Sequence, residues 1–128
     1  MYHQKKLAAQ MEGMLDTLNQ IFEIERKLAK IPESNSISRN LNKLKYIFEN
    51  QLLGEENGLV YHNPINEKFD ETRIDCEATI AGESTENLII TEVIKPIIRL
   101  KTSDGLNQII QKAIVVVQSQ NKFNEGEN

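Results

Sequence analysis

The periodicity of the chain changes once, near Gly58, and that change limits the fold more than any other feature. Before it, apolar residues recur at spacings of three and four, the period of a helix. After it come short β-branched runs divided by turn residues. A chain so divided is expected to be α+β, with an N-terminal helical dimerisation region followed by a small, mostly antiparallel β-domain. The expected division is a two-helix region over 1–57, a β-rich domain over 58–118 and a flexible polar tail over 119–128.

In the first half Leu7, Met11, Met14, Leu18, Ile21 and Leu28 form a heptad-like stripe, with Glu25 in one slot. Leu15, Phe22 and Ile24 widen it. Such a face packs either against a second copy or on the chain's own core, and dimerisation is the expectation because the chain has little else to cover so wide a face. Gly13, beside the stripe, marks either a close contact or a locally weak helix. Pro32 ends the helix, Glu33-Ser34-Asn35-Ser36 is turn chemistry, and a second amphipathic helix carrying Leu41, Leu44, Ile47, Phe48 and Leu52 is expected from about Ser36 or Ser38 to Gly54.

Beyond Gly58 the expected strands are Leu59–His62, Ile74–Ala81, Leu88–Ile94, Ile97–Lys101 and Ile114–Gln118. In the second of these Ile74, Cys76, Ala78 and Ile80 alternate with Asp75, Glu77 and Thr79, which predicts one buried and one wet face. Residues 82–87 and Ser103-Asp104-Gly105 read as turns. Pro96 marks an edge strand or a break between strands.

The 128 residues suffice for one ordinary domain, or for a small domain with a helical arm. Aromatic residues are only 5% and there is no Trp, so the core must be aliphatic and no pocket for a flat cofactor is advertised. A net charge of −4 argues against a surface built for nucleic acid. Cys76 is the one cysteine, which rules out an intrachain disulfide and gives no sign of an oxidising compartment. The basic N-terminus lacks the apolar stretch of a signal peptide, and no apolar run approaches the roughly 20 residues of a membrane span. The expected location is cytoplasmic, with no membrane partner.

Sites for catalysis are not apparent. The acidic group Glu67, Asp70, Glu71, Asp75 and Glu77 has oxygen ligands of the type that hold magnesium or calcium, but lacks the EF-hand spacing and reads as a solvated turn-forming stretch. His3, His62 and Cys76 form no zinc spacing, and a Cys76/His62 nucleophile pair is disfavoured because alternation buries the thiol. Glycines are dispersed, with no phosphate-binding loop. The chain therefore reads as a non-enzyme that needs no metal or cofactor. Lys95, Arg99, Lys101 and Lys112 gather in or beside the last strands. They are either the wet face of a sheet or a docking surface for an acidic partner.

Several local strings, taken in order, resemble the GrpE family, the nucleotide exchange factors of DnaK-type chaperones. Met14-Leu15-Asp16-Thr17-Leu18 is similar to the family's leucine-aspartate-x-leucine stretch. Gly58-Leu59-Val60 followed by Phe69-Asp70 is similar to its glycine-valine strand and phenylalanine-aspartate turn. Arg99-Leu100, Asp104-Gly105 and Ala113-Ile114-Val115-Val116-Val117 are similar to its arginine-leucine, aspartate-glycine and final alanine-x-valine strand. The chain departs from the family at Glu71–Cys76, where proline, histidine and alanine are expected. It departs again at Ile97-Ile98, in place of glycine-tyrosine, and at Gln111-Lys112, in place of arginine-proline. The resemblance implies a homodimeric co-chaperone that binds a DnaK-type ATPase and promotes ADP release, with Arg99, Gln111 and Lys112 as contacts and Leu59, Phe69 and Ala113 as scaffold. The alternative is a small acidic dimeric adaptor, or secretion or assembly chaperone, that binds client peptide along a sheet edge or helix groove.

Overall fold

The computed structural model describes residues 2–32 and 35–120; side chains are described from Ala9 to Pro32 and from Ser36 to Gln120. The chain is α+β, and the described residues form two helices followed by six strands: α1 (Tyr2–Leu28), α2 (Asn35–Asn50), β1 (Gly58–His62), β2 (Cys76–Ala81), β3 (Leu88–Lys95), β4 (Ile97–Lys101), β5 (Asn107–Gln111) and β6 (Ala113–Ser119). The strands form two three-stranded sheets, ordered β1-β4-β5 and β2-β6-β3. Two compact units result. One is the chain up to Tyr61 with Arg99–Gln108; the other is His62–Ile98 with the chain from Ile109 onward.

In the first unit α1 stops before Pro32 because a residue preceding proline avoids helical backbone. Its last turn tightens, with the amides of Lys30 and Ile31 donating to the carbonyls of Lys27 and Leu28. Arg26 and Lys27 sit in that turn, where cations complement the helix dipole. The face of α1 that packs inward carries Leu18, Ile21 and Phe22, and α2 contributes Leu41 and Phe48. Gly54 takes a left-handed backbone (φ 71°) just beyond α2, and its carbonyl accepts from the amide of Asn57. Gly58 opens β1 so close to α2 that a Cβ there would lie 1.8 Å from the carbonyl oxygen of Glu49.

In the second unit β6 is the central strand, parallel to β2 and antiparallel to β3, with bulges between Ile90 and Glu92 and between Val93 and Lys95. Its core residues Ala113, Val115 and Val117 alternate with the more open Ile114 and Val116, as a strand with one buried face requires. The segment 66–69 runs along the outer side of β3. The amide of Asn66 donates to the Ile90 carbonyl, that of Ile90 to the Glu67 carbonyl and that of Phe69 to the Leu88 carbonyl.

Four sequence expectations need adjustment. β2 begins at Cys76, because Ile74 is 74% exposed and lies in the preceding turn. Ile80, expected inside, is exposed. β5 was not expected, since Asn107-Gln108-Ile109-Ile110-Gln111 is too polar to announce a strand; the turn at Gly105 (φ 89°) folds it back from β4. Ser119 completes β6 and the amide of Gln120 donates to the Asn87 carbonyl, so the first two residues of the expected tail are attached. From 121 on, that tail lies outside the described residues.

Candidate functional site

Among the described residues, each unit holds a polar node that joins more than two side chains. In the first, Glu25 interrupts the apolar stripe of α1 and its carboxylate is still partly open to water. It is satisfied from two sides: the Tyr61 hydroxyl donates at 2.7 Å and Lys45 Nζ at 3.0 Å. Lys45 Nζ also stands 5.1 Å from the Tyr61 ring centroid, and that ring meets Phe22 edge-on at 5.9 Å. Burial, reinforced by the neighbouring Glu25 carboxylate, pushes the Tyr61 hydroxyl far above its ordinary range, so it stays a donor. Beside this node lies a cleft of about 80 Å³, lined by Leu18, Lys45, Glu49, Leu59, Val60 and Tyr61. The sequence marked Glu25 only as an interruption; no local signal paired it with Lys45 and Tyr61, which are 20 and 36 residues away.

In the second unit Arg73 gathers the turn before β2. Its Nε donates to Asp75 at 2.6 Å, Nη2 to Glu67 at 2.7 Å and Nη1 to the carbonyl of Lys68 at 2.9 Å. Glu67 is shared with His62, whose Nε2 lies 2.5 Å from the second carboxylate oxygen. Burial disfavours charge on Glu67, Asp75 and Arg73, but the bonds among them outweigh it: Glu67 and Asp75 titrate below their ordinary ranges and Arg73 above its own. Asp70 accepts from the amide and hydroxyl of Thr72, which also lowers its titration. Three of the five carboxylates read as a possible cation site are therefore engaged with protein donors.

Cys76 is buried, as alternation predicted. Burial, with a further push from Asp75, lifts its thiol to about 11, the condition of an unreactive cysteine. His62 is engaged with Glu67, and His3 lies outside the described side chains.

The residues singled out as partner contacts fall in both units. Arg99 is half-buried on β4 in the first. Gln111 and Lys112 belong to the second, where Gln111 Nε2 donates to the Pro96 carbonyl at 2.9 Å and Lys112 is exposed. Of the other basic residues, Lys95 is exposed at the end of β3, and Lys101 pairs with Glu49 at 2.9 Å. Along the expected dimer stripe, Leu18 and Ile21 are buried within their own unit, and Met11, Met14 and Leu28 are half-buried. Leu7 lies outside the described side chains. Among the implied scaffold residues Leu59 and Ala113 are buried and Phe69 is half-buried.

Comparison with known proteins gives no match to a family model, a curated protein or a solved structure. Among the described residues no helix is long and apolar enough to cross a membrane.

Proposed function

We propose that this protein works without catalysis, as a GrpE-like exchange factor that binds a DnaK-type chaperone ATPase and promotes ADP release. The observation that carries the reading is the order of parts. Two packed helices lead into two small sheets, the Phe69-Asp70 turn is tied to β3 by the Phe69 amide, and Asp104-Gly105 closes the β4–β5 turn. Phe69-Asp70 and Asp104-Gly105 are two of the strings on which the resemblance rests, and both stand at turns.

An exchange factor needs no reactive group. It must bind the open-cleft ATPase more tightly than the closed one, and the ratio of the two affinities sets the shift. Arg99, Gln111 and Lys112 are the proposed contacts, and the half-buried Met11, Met14 and Leu28 of α1 the proposed means of pairing two copies. Titration calorimetry against a DnaK-type ATPase domain is expected to give at least tenfold tighter binding without nucleotide than with ADP. Equal affinity for both states contradicts exchange activity, however tight the binding.

A further inference from the structure

The sheet β2-β6-β3 is closed on one side only. On the β3 side the 66–69 segment lies along the strand, with an antiparallel bridge between Lys68 and Ile89. On the other side β2 is the edge, and among the described residues no strand pairs with it. The parallel register of Cys76 with Ala113, and the Ala113 amide donating to the Asp75 carbonyl, fix the direction of the backbone groups. Glu77 and Thr79 turn N–H and C=O toward β6, so Ala78 and Ile80 turn theirs away from it.

The side chains agree with this. Ile80 shares the core-facing side of the sheet with its register partner Val117, yet Val117 is 0% exposed and Ile80 40%. Ala78 is likewise half-buried beside the buried Val115. Among the described residues the apolar side of the sheet has no strand beyond β2, where the side chain of one more strand would cover Ile80.

We infer that the Ala78–Ile80 edge of β2 is a docking site for an extended basic segment of a partner protein, which joins the sheet as a further strand. Charge selects the occupant. Residues 70–86 include the acids Asp70, Glu71, Asp75, Glu77, Glu83 and Glu86 and the single base Arg73, which is engaged with Glu67 and Asp75. The segment that fits alternates, with apolar residues beside Ala78 and Ile80 and Lys or Arg beside Glu77. The β2 strand of a second copy carries no Lys or Arg to set beside Glu77. This docking site is independent of the exchange-factor reading.

The test is fluorescence anisotropy of a labelled ten-residue peptide alternating Lys and Val, titrated with the full chain, beside a Glu–Val peptide of equal length. Saturable binding of the Lys–Val peptide alone is expected. It should weaken at least tenfold in Ala78→Pro, which removes an outward N–H and no bond to β6, and in Ile80→Lys, which places a like charge against the peptide. Both variants should keep the wild-type circular dichroism. If Ala78→Pro fails to fold, Ile80→Lys decides alone, since that position is already open to water. No saturation at millimolar protein, equal affinity for both peptides, or binding undiminished in the folded variants overturns the proposal. So does self-association in sedimentation that the folded variants abolish, because the edge would then belong to a second copy. Failure here with ADP release still accelerated would leave the exchange reading standing.

Discussion

At the scale of single residues, Gly13 and Gly58 make opposite demands. A Cβ at Gly13 meets nothing within 4 Å among the described residues of its own chain, so no contact within the chain requires a glycine there. At Gly58 a Cβ would collide with the backbone of Glu49, which cannot swing aside as a flexible side chain can. Gly13→Ala is therefore expected to stabilise the protein by about 1 kcal/mol and Gly58→Ala to destabilise it by about 3 kcal/mol; urea melts of both variants measure the pair. Arg73 supports a second prediction, with its sign set by its partners. Glu67 and Asp75 titrate lower in the fold than in the open chain, so their contribution is complete above the ordinary carboxylate range. It is lost as the pH falls through their lowered values. Arg73→Met should cost about 2 kcal/mol at pH 7, a figure at the low end because Glu67 is partly open to water. Thermal melts should show the gap between the two proteins closing toward pH 3, whereas a gap constant from pH 7 to pH 3 would refute the ion-pair account.

At the scale of elements, the helices and most strands were legible because their patterns are local. The stripe from Leu7 to Leu28 states a helical period, and the β-branched run Ile114–Val117 states a strand, each within one element. β5 was hidden because its two apolar residues, Ile109 and Ile110, are adjacent and flanked by amides, which gives no alternation. The parallel pairing of β2 with β6 was hidden for another reason: it joins residues 37 apart, and no strand pattern specifies a partner. Leu18 shows how one pattern serves two outcomes, since a heptad position and a core position have the same spacing. With Leu18 only 1% exposed within its own unit, Leu18→Lys buries an unpaired charge and is expected to abolish the helical circular dichroism signal. Met14→Lys, at a half-buried position, should preserve that signal and reduce the mass in light scattering to that of a monomer. An unchanged mass for Met14→Lys at micromolar concentration would remove the stripe as a seam between copies.

At the scale of the whole molecule, the α-then-β layout was legible from the single change of period at Gly58, but the polar nodes were not. Glu25, Lys45 and Tyr61 come together only through packing in the first unit, and the sequence, which marked Glu25 as an interruption of the stripe, named no partner for it. Glu67, Arg73 and Asp75 are close enough in the chain to have been noticed as a charged stretch; the sequence did not show that one arginine organises it. The proposed contacts at Arg99, Gln111 and Lys112 come from the resemblance, and they make the exchange reading specific enough to fail. The most direct measurement is the rate at which a fluorescent ADP analogue leaves a DnaK-type ATPase from the same organism, over a range of concentrations of this protein. The account predicts saturable acceleration that Arg99→Glu and Lys112→Glu weaken at least tenfold while the fold is retained. A release rate unchanged at saturating protein would contradict it.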